Sequence, residues 1–202
     1  MAGLRELFLA EGFLDFGVGD LAERLHCSRT TLYSVAPTKE QLVLHVVRAW
    51  FRDATREIEG RVAAVDDPVE RIETYLRAVA RGLAPASAQF HADLASWAPA
   101  REIYRRNTEL AAERIRALVA EGVEAGRLRA VDAVFVGAVV AQVMGAIQAG
   151  EIARATGLDD ATAYEHLAQL LIRGLREPAA TGPVAEPAPG APERDGAWNP
   201  EP

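Results

Sequence analysis

Between residues 40 and 176 the apolar positions recur every three or four residues, and no alternating run is long enough for a strand. The pattern predicts an all-α chain of about nine helices. Near the start the helices are short. Leu4, Leu7 and Phe8 give a first helix its apolar face, and Val18, Leu21, Ala22 and Leu25 stripe a second of about two turns, with Asp20 and Glu23 on its wet side. His26-Cys27-Ser28 breaks that stripe. Ser28 is a good N-cap for a helix beginning at Arg29, so two helices are separated by only three residues. A connection this short makes them cross steeply, which is the helix-turn-helix arrangement and leaves the second one protruding.

On the protruding helix only Leu32 is a clear core anchor. Arg29, Thr30, Thr31, Tyr33 and Ser34, with the cap Ser28, offer a guanidinium, hydroxyls and a phenol, groups suited to phosphate oxygens and base edges. Pro37 ends the helix and Thr38 caps the next. Lys39 stands in that next helix's first turn, where an amine gains nothing from the helix dipole, so a negative partner explains it better.

The remaining helices follow from caps and stripes. Helix 4 is expected over Thr38 to Val65, with Leu42, Val46, Trp50 and Ile58 on one side. Asp66 or Asp67 with Pro68 starts the next, striped by Ile72, Tyr75, Leu76, Val79 and Leu83 and ended by Pro85. A short aromatic helix, ASAQFHADLASWA, precedes a long one from Pro99 through Ala125, closed by Gly126. Asp132 opens a segment, AVFVGAVVAQVMGAI, whose one polar side chain is Gln142, and the last helix runs from Asp159 or Asp160 to about Arg176.

The apolar segment is shorter than the roughly 20 residues a bilayer requires. A helix apolar all round must be covered all round, which points to a partner subunit; the alternative is a central helix buried in its own subunit. Phe135, Val136, Val139, Val140 and Val143, with Leu167 and Leu171 of the last helix, are the expected dimer interface, and Gly137, Ala138, Ala141 and Gly145 permit close approach.

The stretch from Gly12 to Leu42 resembles the DNA-binding domain of the TetR family of transcriptional regulators. Gly12, Phe13, Val18, Asp20, Ala22, Ser28, Thr31, Leu32, Tyr33, Lys39, Glu40 and Leu42 match its motif in register, with Leu21 and Cys27 as conservative replacements. The resemblance implies a homodimer that reads a palindromic operator and releases it when a small molecule binds, with the two C-terminal helices forming the dimer interface. The expected DNA contacts are Ser28, Arg29, Thr30, Thr31, Tyr33, Ser34 and Lys39, of which Ser28, Thr31, Tyr33 and Lys39 fall on the motif. The sequence departs from the motif in four places. Phe16 or Gly17 stands where a threonine caps the second helix, His26 replaces the turn glycine, and Val35 and Ala36 replace an aromatic pair. The first helix is short and lacks a basic arm, so either the true start lies upstream or the backbone contacts are fewer than in relatives. These departures favour a second reading, a TetR-fold dimer that has lost specific DNA binding and serves as a ligand- or protein-binding module.

Charge shapes that expectation. Over residues 1–56, Arg5, Arg24, Arg29, Lys39, Arg48, Arg52 and Arg56 are balanced by Glu6, Glu11, Asp15, Asp20, Glu23, Glu40 and Asp53, so this region is neutral and attraction to DNA is local. At 202 residues, half of them hydrophobic, the chain can bury a sizeable core in one or two domains. Its single cysteine excludes an intrachain disulfide and fits a cytoplasmic location, and the N-terminus lacks the basic region of a signal peptide. The domains expected are a helix-turn-helix head at 1–45, a helical ligand-binding and dimerisation body at 46–176, and a disordered Pro/Ala-rich acidic tail at 177–202.

TetR-like proteins hold a ligand between body helices. Phe90, His91, Trp97, Tyr104, Asn107 and Gln142 are the candidates here, for a small apolar or amphipathic ligand, each with ordinary packing as the alternative. Catalysis is not expected. His26, His45, His91 and His166 lack metal-ligand spacing, no nucleophile elbow or phosphate-binding loop is present, and no cofactor is implied.

Overall fold

The computed structural model describes residues 2–176 and is all-helical. Three short helices, α1 (Ala2–Glu11), α2 (Val18–Arg24) and α3 (Arg29–Val35), form a head. The long α4 (Lys39–Ala63) leads into a body of α5 (Pro68–Leu83), α6 (Ala88–Ser96), α7 (Ala98–Glu124), α8 (Ala133–Gln148), α9 (Glu151–Thr156) and α10 (Asp160–Leu175). The expected tail at 177–202 lies outside the described residues.

Local chemistry sets these boundaries. Side chains of Ser28, Thr38, Asp67, Ser87, Asp132 and Asp159 each accept from a backbone N–H of the first turn that follows, satisfying donors a helix leaves free. Pro68 sits where its missing N–H costs nothing. At the end of α2 the N–H of Cys27 bonds the Ala22 carbonyl at 2.9 Å and that of His26 bonds Glu23 at 3.1 Å, a Schellman closure. The closure requires a left-handed residue, and His26 supplies it at φ 50° in place of glycine.

One apolar core runs from head to body. Leu4, Phe8, Phe13, Leu21, Leu32 and Leu42 fill the head, continue through Val46, Val47 and Trp50, and meet Ile72, Leu76, Phe90, Leu94, Ile115 and Leu118. Ten helices are present among the described residues, against about nine expected. The addition is α9, six residues isolated between Gly150 and Gly157, both left-handed, in a stretch too short for a periodic stripe.

Helix α6 joins head to body. Its buried Asp93 accepts from the backbone N–H groups of Phe13 at 2.5 Å and Leu14 at 2.9 Å, and the N–H of Ser87, its cap, donates to the Leu9 carbonyl at 2.8 Å. Gln89 holds the other Asp93 oxygen at 2.7 Å. Gly12 makes the approach feasible: at φ +80°, a β-carbon there would stand 2.6 Å from that carboxylate.

Candidate nucleic-acid interface and cavity

In the head, α3 stands out as the sequence requires, with Leu32 buried and Arg29, Thr30, Thr31, Tyr33 and Ser34 exposed. Tyr33 is the large apolar-bodied side chain of that face, 49% exposed. Three hydroxyls serve the helix itself. Ser28 Oγ accepts from Thr31 N at 3.0 Å and shares a hydrogen bond with Thr31 Oγ1 at 2.9 Å, while Ser34 Oγ donates to the Thr31 carbonyl at 2.7 Å. Arg29 folds its guanidinium over α2, where a β-carbon on Gly19 would meet Nη2 at 2.7 Å. Lys39 Nζ donates to the Leu14 carbonyl at 2.7 Å, pinning the α1–α2 loop and keeping its other N–H donors available.

Four other cations of the head and of α4 pair with carboxylates. Arg5, Arg52 and Arg56 converge on Asp53, and Arg24 pairs with Glu11. The thinned cap of α2 is made good from within the helix: Gly17 has no side chain to offer, but Asp20 Oδ2 accepts from Gly17 N at 2.8 Å.

The body holds a half-open cavity of about 340 Å³ between α4, α5, α7, α8 and α10. Trp50, Phe51 and Ile58 of α4 and Tyr75, Val79 and Leu83 of α5 form one side; Tyr104, Thr108 and Ala111 of α7, Met144 of α8 and Tyr164 of α10 form the other. Charge enters only at the rim, where Arg114 Nε faces both Glu59 oxygens at 3.1 and 3.3 Å. Burial pushes the Tyr75, Tyr104 and Tyr164 phenols well above their ordinary value, helped at Tyr104 by Tyr164 and Asp160. All three stay neutral, so the wall is aromatic and uncharged. Among the described residues no group of three or more His, Cys, Asp or Glu could hold a metal ion, and no helix is long and apolar enough to cross a membrane.

Residues 1–46 match the family model of bacterial regulatory proteins of the tetR family. The head is a TetR-family domain. That family is one of regulatory proteins rather than enzymes, and no curated protein matches the chain. The whole body shares the fold of solved regulators. A putative transcriptional regulator from Saccharomonospora viridis, in complex with choline, superposes with a TM-score of 0.67 at 17% identity, over 88% of this chain and 95% of that one. The TetR family regulator PfmR from Thermus thermophilus gives 0.61 at 22%, over 87% and 97%. The regulator FadR from Bacillus subtilis, in complex with stearoyl-CoA, gives 0.63 at 12%, over 86% and 96%.

Behind the TetR-family head, the expected ligand residues part company. Tyr104 and Asn107 line the cavity, although the Asn107 amide donates to the Ile103 carbonyl at 2.8 Å. Phe90 and Trp97 do not line it; both pack edge-on against Phe13, at 5.7 and 6.0 Å between ring centres, and belong to the joint between head and body. His91 points instead to α10, its Nδ1 2.5 Å from Asp160 Oδ2. Gln142 does not line the cavity either; it is exposed on the outer face of α8. The cavity is also lined by residues of α4 and α5 that the sequence reading did not single out, above all Trp50, Phe51 and Tyr75. Their stripes read simply as core, because a cavity wall and a packed core use the same side chains.

The expected interface also needs revision. Val140 and Leu167 are buried in their own chain, and Val136, Val143 and Leu171 are half-buried against it. Of the residues expected, Phe135 and Val139 face outward, joined by Val134 and by Leu170 of α10; Phe135 is 67% and Leu170 72% exposed. The inner side of α8 is Gly137, Val140, Met144 and Ile147, so the uniformly apolar sequence divides between two surfaces. Gly137 lets α8 approach α7, since a β-carbon there would stand 2.9 Å from Arg116 Cβ.

Proposed function

We propose that this chain is a ligand-responsive, DNA-binding transcriptional regulator that works as a homodimer, most simply a repressor that leaves a palindromic operator when a small molecule fills the body cavity. The observation that carries the reading is one chain holding both an exposed recognition helix and an apolar cavity, joined through α6 by the Asp93 grip on Phe13 and Leu14. Exposed Val134, Phe135, Val139 and Leu170 form an apolar strip on α8 and α10, and a second copy related by two-fold symmetry is the simplest cover for it. Two heads so paired enter successive major grooves, roughly 34–36 Å apart. A ligand that binds better to a dimer with wrongly spaced heads weakens DNA binding by the same factor that DNA weakens the ligand. Choline and stearoyl-CoA, bound by two structural neighbours, illustrate how widely such cavities vary in ligand.

The second reading, a binding module without DNA specificity, draws on the hydroxyls of Ser28, Thr31 and Ser34 being engaged within α3 and on the absence of a net positive charge over residues 1–56. Selection of bound duplexes from a random pool separates the two. Enrichment of an inverted repeat supports the regulator, and a pool with no enriched sequence favours the module.

A further inference from the structure

We infer that the cavity takes an amphipathic organic monocation, an ammonium group carried on an apolar body; this rests on the reading of the cavity as the ligand site. Two features of the wall combine. The first is aromatic: Trp50, Phe51, Tyr75, Tyr104 and Tyr164 line one space, with Phe51 4.6 Å from Trp50 and 5.5 Å from Tyr104 between ring centres. Ring faces attract a cation, most strongly where water is excluded.

The second feature is an asymmetry in the rim charges. Glu59 pairs with Arg114, its one cationic partner among the described residues. Arg114 has a second carboxylate, Glu121, 3.8 Å from its Nη1. A cation arriving at Glu59 therefore releases a guanidinium that keeps a partner. An anion drawn to Arg114 instead leaves Glu59 with no cationic partner among the described residues. Glu121 is in turn held by Arg71 at 3.4 Å, so Glu59 is the carboxylate of this rim network with a single cationic partner. The phenols cannot substitute for that carboxylate, being neutral.

Calorimetric titration of the full chain tests the class with three probes of similar size: benzyltrimethylammonium, its uncharged carbon isostere neopentylbenzene, and the anion 3-phenylpropanoate. The cation is expected to bind about tenfold more tightly than the isostere, and Glu59→Gln to erase about tenfold of the cation's affinity while leaving the isostere unchanged. Gly82→Leu is the cavity control. Gly82 lines the space and a β-carbon there meets only Ala54, at 3.9 Å, so the backbone accepts a side chain at this wall, and a leucine is chosen to occupy the space. It is expected to abolish binding while the helical circular dichroism is retained. An isostere or anion that binds as well as the cation, and is blocked by Gly82→Leu, overturns the cationic class and leaves the cavity standing as the site. Cation binding unaffected by Gly82→Leu overturns the cavity reading and the class with it, as does no binding of any probe.

Discussion

Asp93 and Phe13 meet across 80 residues of sequence: the carboxylate on α6 accepts the backbone N–H at the end of α1 at 2.5 Å, and the same oxygen takes Leu14 at 2.9 Å. Asp93 is 3% exposed, so this charge resides in the seam between head and body. Two residues before it, His91 reaches Asp160, which lies 3.5 Å from the hydroxyl of the cavity residue Tyr104. Helix α6 thus touches the head on one side and the cavity wall's supports on the other.

Asp93→Ala removes the acceptor from two buried N–H groups and is expected to lower unfolding free energy by about 2–3 kcal/mol, read by urea denaturation. In a regulator whose cavity and head communicate through this seam, the variant's DNA affinity also becomes less sensitive to ligand. Unaltered stability would mean that the head is held by its aromatic contacts alone.

The interface is expected to respond to surface, not core, substitutions. Phe135→Glu with Leu170→Glu places charge on the exposed strip of α8 and α10 and is expected to give a folded monomer by sedimentation velocity. Val140→Glu buries an unpaired carboxylate and is expected to cost several kcal/mol of stability, of order 3–5, before any question of assembly arises. A folded Phe135→Glu/Leu170→Glu dimer would place the interface elsewhere.

Alkaline pH is expected to destabilise the fold through the cavity tyrosines. Their folded-state phenols titrate above the ordinary value near 10, so between the two values the unfolded chain has released protons that the folded one keeps. Their contribution is complete below about pH 10 and is lost as pH rises beyond it. Thermal melts across this range are expected to show a falling midpoint, with a shallower fall in Tyr104→Phe. Identical slopes in both proteins would remove Tyr104 from this role.

Much of the fold was legible in the sequence because caps and stripes are local. Ser28, Thr38, Asp67 and Asp132 start their helices as their side chains dictate, and His26 takes the left-handed turn. The site was legible only in part, because placement depends on partners distant in sequence. Nothing near Phe90 or Trp97 announces that Phe13 will pack between them, so both read as ligand residues. Nothing in AVFVGAVVAQVMGAI separates Val140, turned inward, from Val139, turned outward, since the helix is apolar on both sides.

The recognition helix carries the central claim, and footprinting on the region upstream of the chain's own gene tests it most directly, with wild type beside an Arg29→Ala/Tyr33→Ala variant of unchanged circular dichroism. The account predicts protection by wild type over two half-sites about one helical turn apart, and its loss in the variant. Equal protection by both proteins, or none by wild type on this region and on a random duplex pool, would contradict it.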